Sequence, residues 1–227
     1  LYERATYILQ YCDELQADYS SISRVRPPLR IGIPPMLSTL FFPELLTAFQ
    51  EGYPDIPIIL EEYGSVRACN LVQNDTLDLG LVNMEQYNID KFNNTLLATD
   101  QIVFCISDSH RLAKKEAVTT QEMAREPLIF FNADSVLNQI LKNRFEVDGY
   151  TPNVIMRCSQ IYTTLQFLKT GKYGCFLFSS MTDKFSDVIG IPLKNPIRIK
   201  IGMVWKKGKY MSNDMQVFLN FTQRYYK

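Results

Sequence analysis

Ser38 and Thr39 follow Pro34-Pro35, and Ser65 follows Gly64, each where a short apolar run gives way to a segment of helical period. Hydroxyls at such turns can hold an anionic or strongly polar small molecule, helped by the backbone N–H groups that a helix's first turn leaves without partners. They serve equally well as plain helix caps. Catalysis is harder to build from this chain. His110 is the single histidine, and SDSHRLA around it reads as a loop entering a helix rather than as the base of a reactive serine. No G-x-S-x-G, H-E-x-x-H, phosphate loop or dinucleotide fingerprint occurs, so no catalytic residue, cofactor or metal is signalled. The five cysteines, Cys12, Cys69, Cys105, Cys158 and Cys175, are odd in number and form no C-x-x-C. Neither a disulfide framework nor a zinc clip follows, and a reducing, cytoplasmic setting is expected. There the thiols pack as small hydrophobes, with redox sensing by one of them left open.

The elements that must position these hydroxyls lie in residues 29–82, LRIGIPPMLSTLFFPELLTAFQEGYPDIPIILEEYGSVRACNLVQNDTLDLGLV. Strands at 30–33, 56–61 and 77–82 alternate with two helical segments, the grammar of a parallel sheet covered by helices. Leu37, Phe41, Leu45 and Phe49 recur every fourth residue and mark the buried stripe of the first helix. Pro43 allows two readings: a helix that starts near Phe42, or a longer one bent there. Open sheets of this kind hold ligands at the carboxyl ends of their strands, which places a site in the turns at 34–39 and 63–67. A second α/β series follows. Strands are expected within 96–106, 128–131, 153–157 and 175–178, and helices at 119–125, 135–145 and 161–168. A strand at 198–205 and a helix at 214–225 close the chain.

The 227 residues, 46% of them hydrophobic, suffice for one large domain or two small ones. Twenty-four basic residues balance twenty-four acidic ones, so no global field attracts nucleic acid, and no apolar run is long enough to span a membrane. Acidic residues dominate 51–100, whereas 191–227 is basic with Asp214 its lone acid. These segments either attract each other in space or the basic one forms a docking face for nucleic acid. Leu1, Ala5, Ile8, Cys12, Leu15, Tyr19 and Ile22 are spaced alternately by four and three, the period of a coiled-coil seam. Such a narrow stripe implies a homodimer; a helix packed on its own domain is the alternative. Arg26-Pro27-Pro28 ends that helix.

The ordered set LRIGIPPMLSTLFFPELLTAFQEGYPDIPIILEEYG, LDLGLV, SDSHRLAKKEAVTTQEMAREPLIFF and TLQFLKTGKYGCFLFSS resembles the effector-binding domain of LysR-type transcriptional regulators. The resemblance covers essentially everything after the proline linker. It implies an α/β fold of two Rossmann-like subdomains hinged by crossover strands, like type 2 periplasmic binding proteins. It further implies a linker or dimerisation helix at 1–22, a Pro-rich linker at 23–29 and an effector-binding domain at 30–227. Subdomain I would take about 30–100 and 191–227, and subdomain II about 101–190. A small-molecule effector would lie between the lobes against Met36, Leu37, Ser38, Ser65 and Asn83 from one side. Asn132, Ser135, Gln160, Ile161 and Tyr162 would face it from the other. Promoter DNA would be reached only through a winged helix-turn-helix preceding Leu1, in a homo-oligomer (dimer or tetramer) with no membrane partner. A solute-binding protein of a transport system is the alternative on the same fold. His110-Arg111-Leu112 and Ser179 depart from the family's usual prolines, and Gly171-Lys172-Tyr173-Gly174 displaces one glycine. Met36 and Asn83 suit a less charged or partly apolar effector.

Overall fold

The computed structural model describes residues 2, 4–6, 8, 9, 12, 26–84, 89–133 and 135–226. The first elements are β1 (Leu29–Ile33), α1 (Pro35–Gly52), β2 (Ile58–Glu62), α2 (Ser65–Gln73) and β3 (Leu79–Asn83). A 3-10 turn (Ile89–Lys91) leads into β4 (Phe92–Ser107), α3 (Thr120–Ala124), β5 (Leu128–Phe130) and α4 (Val136–Val147). Then come β6 (Val154–Arg157), α5 (Ile161–Leu168), β7 (Cys175–Phe178), α6 (Ser179–Thr182), β8 (Val188–Lys206) and α7 (Asn213–Tyr225).

Two strands organise everything else. β4 and β8 pair antiparallel along almost their whole length, with register shifts between Leu96 and Ala98 and between Ile102 and Val103. At the second shift Ile102 faces Ile197, but Val103 faces Pro192, so residues 193–196 loop out of the ladder. On one side of that break β8 continues into β3, which runs parallel to β1, which runs parallel to β2. On the other side β4 takes β7 as its antiparallel neighbour. β5 bridges to Gly174 just before β7, and pairs in parallel with β6. Two α/β lobes therefore share one pair of strands, as the sequence reading expected.

Burial explains the sequences used. β3 is buried at every position and β1 at all but Arg30, as strands covered on both faces require. Leu37, Phe41, Leu45 and Phe49 are all buried, so the four-residue stripe of α1 is its core face. It packs on α7, where the Phe49 ring meets Phe218 edge-on at 5.0 Å and Phe221 at 5.3 Å. The Tyr226 hydroxyl donates to the Phe41 carbonyl at 2.7 Å and ties the chain end to the same helix. In the second lobe Phe176 meets Phe104, Phe130 and Phe145 at 5.5–6.3 Å.

Several expectations need correction. Of the two readings of Pro43, the start near Phe42 falls and the longer helix is the one observed: α1 starts at Pro35 and runs through Pro43. Pro43 deprives the Thr39 carbonyl of its helical donor, but both residues are exposed, so water can serve it. Ser38 and Thr39 are not caps. They lie inside the helix near its start: the Thr39 hydroxyl donates back to the Pro35 carbonyl at 3.1 Å, and the Ser38 oxygen lies 2.8 Å from the same carbonyl. The first half of β8 was unexpected because Gly190, Pro192 and Pro196 interrupt its pattern.

The acidic and basic segments do meet: Lys209 pairs with Asp78 at 2.8 Å and with Asp75 at 3.7 Å, and Lys206 with Asp75. These lysines of the basic segment are thus committed within the chain. Of the heptad positions, Ala5, Ile8 and Cys12 are helical and exposed; Leu1, Leu15, Tyr19 and Ile22 lie outside the described residues.

Gly202 sits in β8 opposite both Val82 and Leu96. A Cβ there would stand 2.5 Å from the Thr95 backbone oxygen and would collide with the Met84 sulfur. Gly202→Ala is expected to lower stability by about 1–3 kcal/mol. Urea unfolding should show a lower midpoint with an unchanged slope.

Candidate functional site

The carboxyl ends of β1, β2 and β3 face the second lobe across a cavity of about 180 Å³. The first lobe supplies the start of α1 (Pro34 to Leu37), Glu62 and the start of α2 with Ser65 and Arg67, and Asn83 at the end of β3. The second lobe supplies Phe131 and Asn132 after β5, the start of α4 from Ser135, Ser159 and Phe178. Of the residues expected from the resemblance, Met36, Leu37, Ser65, Asn83, Asn132 and Ser135 are brought together here.

Four are not. Ser38 is turned aside, its hydroxyl donating to Glu62 Oε1 at 2.5 Å. Gln160, Ile161 and Tyr162 do not line the cavity, because α5 begins only at Ile161 and the chain enters the wall one residue earlier, at Ser159. Tyr162 is 75% exposed, and the Gln160 side chain accepts from the Thr163 hydroxyl at 3.0 Å. Sequence reasoning missed Phe131, Val136, Leu137 and Phe178, whose apolar types read as core. Glu62 was missed because β2 runs one residue further than expected.

Among the described residues, hydrogen bonding along the helix starts that face the cavity is incomplete on the donor side. The N-cap positions of α1, α2 and α4 make no side-chain cap bond. By contrast α3 and α7, which do not reach this cavity, are capped by the Thr119 and Ser212 hydroxyls. The first helical backbone bonds at the cleft are Ser38 N–H to Pro34, Ala68 N–H to Gly64 and Gln139 N–H to Ser135. Earlier N–H groups, including those of Met36, Leu37, Val66 and Val136, are left for a ligand or water. Ser65 is buried, and its oxygen accepts the Asn83 backbone N–H at 3.2 Å. Among the described residues its hydroxyl proton has no acceptor.

Among the described residues the cavity has two charged side chains, Glu62 and Arg67, both exposed. The Arg67 guanidinium lies 4.7 Å above the Tyr63 ring, a cation–π contact. The Tyr63 hydroxyl donates to Glu61 Oε2 at 2.5 Å, and that bond raises its pKa. Glu62 holds only the Ser38 hydroxyl among the described residues.

His110 is elsewhere. It is buried, accepts the Leu112 N–H on Nδ1 at 3.2 Å, and places Nε2 3.3 Å from Glu126, which also pairs with Arg111. Burial lowers its pKa, outweighing the attraction of Glu126, so the neutral ring donates from Nε2 and braces a loop. Cys105 and Cys175 face each other in register on β4 and β7, both buried and unbonded. Burial pushes the Cys69 thiol up to about 12 and raises Cys175 as well, so both pack as inert hydrophobes.

Two α/β lobes on shared crossover strands, with a donor-rich cleft at strand ends, define a binding module of the type 2 periplasmic-binding-protein kind. The family model of the LysR substrate binding domain matches residues 23–227, and the chain belongs to that family. It is 30% identical over 201 residues to the HTH-type transcriptional regulator YwbI of Bacillus subtilis, whose own function is uncharacterized, covering 87% of this chain and 66% of that one. It is 21% identical over 206 residues to the transcriptional dual regulator GltC of the same species, covering 88% and 68%. The chain thus spans about two thirds of the length of these relatives. Among solved structures, the CcmR regulatory domain of Synechocystis in complex with 2-PG superposes with a TM-score of 0.81. Identity there is 20%, covering 89% of this chain and 98% of that one. The effector binding domain of QuiR in complex with shikimate gives 0.76 at 18%, covering 88% and 97%. These likenesses carry the fold. The relatives are named as transcriptional regulators, which favours the regulatory reading over a transport receptor.

Because the folded state holds His110 neutral, the unfolded chain binds more protons once pH falls below the ordinary value of 6.5. Stability is therefore expected to decline from that pH downwards. In His110→Gln the melting temperature should be flatter between about pH 6.5 and 5. Parallel curves for the two proteins would contradict this assignment.

Proposed function

We propose that this chain is the ligand-sensing part of a dimeric LysR-type regulator of the bacterial cytoplasm, with a small-molecule effector held between the lobes. The observation that carries the reading is the convergence of three helix starts without side-chain caps, from both lobes, on one cavity that also presents the Ser65 hydroxyl. Helix N-termini favour an anionic or acceptor-rich group. Met36, Leu37, Phe131, Val136 and Phe178 offer an apolar body its contacts. The cavity is smaller than the roughly 300–1,000 Å³ of drug-sized sites, which suits a small metabolite.

On this reading residues 1–22 form the dimerisation helix, 23–29 the linker and 30–227 the sensing domain. Residues 30–100 and 191–227 make one subdomain and 101–190 the other. Effector binding shifts the closure of the lobes and so the arrangement of subunits. The effector must bind one arrangement more tightly than the other for this to work. DNA is contacted by a winged helix-turn-helix domain preceding this stretch. Catalysis has no place in the scheme, since His110 is spent on a structural loop. Among the described residues no helix is long and apolar enough to cross a membrane.

A thermal-shift screen against small organic acids and amino acids tests the cleft. Ser65→Trp should abolish the ligand-induced rise in melting temperature while leaving the circular dichroism spectrum unchanged. Ser65→Ala should weaken binding by about tenfold, the loss of one hydrogen bond to a charged group. A full response in both variants would refute the assignment. Light scattering tests the assembly: a dimer should weaken on removal of residues 1–22, and equal masses would count against the seam.

A further inference from the structure

A donor-rich cleft by itself would accept any small anion, but this one also carries a carboxylate on its rim. Glu62 is the last residue of β2, and its position is set by a short bond: Oε1 accepts the Ser38 hydroxyl at 2.5 Å, which couples β2 to the first turn of α1. Ser38 is itself anchored on the Pro35 carbonyl at 2.8 Å. Among the described residues Glu62 joins no ion pair, although Asp75, Asp78, Glu122, Glu126 and Asp187 all do. Arg67, the other charged side chain of the cavity, likewise joins no ion pair and rests on the Tyr63 ring. Among the described residues the cleft therefore presents one formal negative and one formal positive charge, both exposed at its rim and neither in an ion pair.

The two charges have different neighbours. Arg67 shares the first turn of α2 with Ser65, whose hydroxyl proton lacks an acceptor, and with that turn's free N–H groups. Donors predominate on that side, so a carboxylate is the matching group. Glu62 accepts, and its second oxygen has no partner among the described residues. A ligand that is only an anion would satisfy the α2 side and leave Glu62 facing like charge. A second carboxylate brought close to Glu62 is repelled by it, modestly so at an exposed rim. A ligand with a carboxylate and an ammonium group answers both walls and brings no net charge.

We propose that the effector of this cleft is a small zwitterion of the α-amino acid class, with Glu62 as the residue that selects the ammonium group. The inference rests on the effector-cleft reading above and narrows its ligand. An apolar or polar-neutral side chain fits the Met36, Leu37 and Phe178 surface, while a strongly acidic one does not.

The test uses the whole chain, thermal shift and calorimetric titration. The probes are the proteinogenic L-amino acids and, for each, the carboxylic acid left when hydrogen replaces the α-amine. At least one amino acid should bind about tenfold or more tightly than its amine-free partner, as expected for one charge-assisted hydrogen bond. Glu62→Gln should remove most of that preference without weakening the amine-free acid. Its amide oxygen can still accept from Ser38, so the unliganded melting temperature should hold. Three results overturn the proposal: no amino acid binds, an amine-free acid binds as tightly as its amino acid, or Glu62→Gln leaves the preference intact. Ser65→Trp separates this failure from the wider one. If carboxylic acids bind without preference and Ser65→Trp abolishes their binding, the cleft reading stands and the zwitterion falls. If binding survives Ser65→Trp, both fall.

Discussion

The antiparallel pairing of β4 with β8 is the constraint on which the rest of this structure depends. Each strand serves two sheets: near one end it borders β3 or closes the first lobe, and near the other it borders β7 and the second. The lobes are thus covalently and hydrogen-bonded to the same ribbon, and the cleft exists because the ribbon holds two sets of strand ends opposite each other. The break where residues 193–196 leave the ladder falls between the lobes and is the larger of the two interruptions in this pairing. Bulges of this kind increase local twist and bend. Relative rotation of the lobes has a natural seat there, while the flanking ladders keep each lobe rigid.

Among the described residues side-chain caps are confined to two of the seven helices, α3 and α7, and are absent from α1, α2, α4, α5 and α6. These two satisfy their first turns with a threonine and a serine. α3 goes further, with a reciprocal capping box in which bonds from Lys115 and Thr119 hold the Glu122 carboxyl down at about 2. The three helices that open onto the cleft lack such caps, as do α5 and α6. A cap contributes on the order of 1 kcal/mol to a helix. Its omission at three helix starts around one cavity is a cost in stability that a bound ligand can offset.

Much of this was legible in the sequence, and the limits have physical causes. Local periodicity identified α5, β7 and the stripe of α1 because their burial patterns are short-range. The start of β8 was hidden because prolines and glycine are tolerated where a strand crosses between lobes and pairs irregularly. Ser38 and Thr39 were misread as caps because the chain had two prolines available to begin the helix earlier. The cleft's polar corners, Ser65, Asn83, Asn132 and Ser135, followed from the family resemblance. Phe131 and Phe178 did not, since an aromatic at the end of a buried strand looks the same whether it faces core or cavity. Only the docking of one lobe on the other decides that.

The two prolines that open α1 have an effect beyond starting a helix. Pro34 and Pro35 each lock φ near −65°, in the unfolded chain as well as in the folded one. The turn that forms one wall of the cleft therefore has little conformational freedom left to lose when a molecule settles against it. Of the ordering entropy that capture demands, this wall contributes almost none. Whatever settles there meets a surface already shaped by two rings of the chain itself, not a loop that must tighten around it.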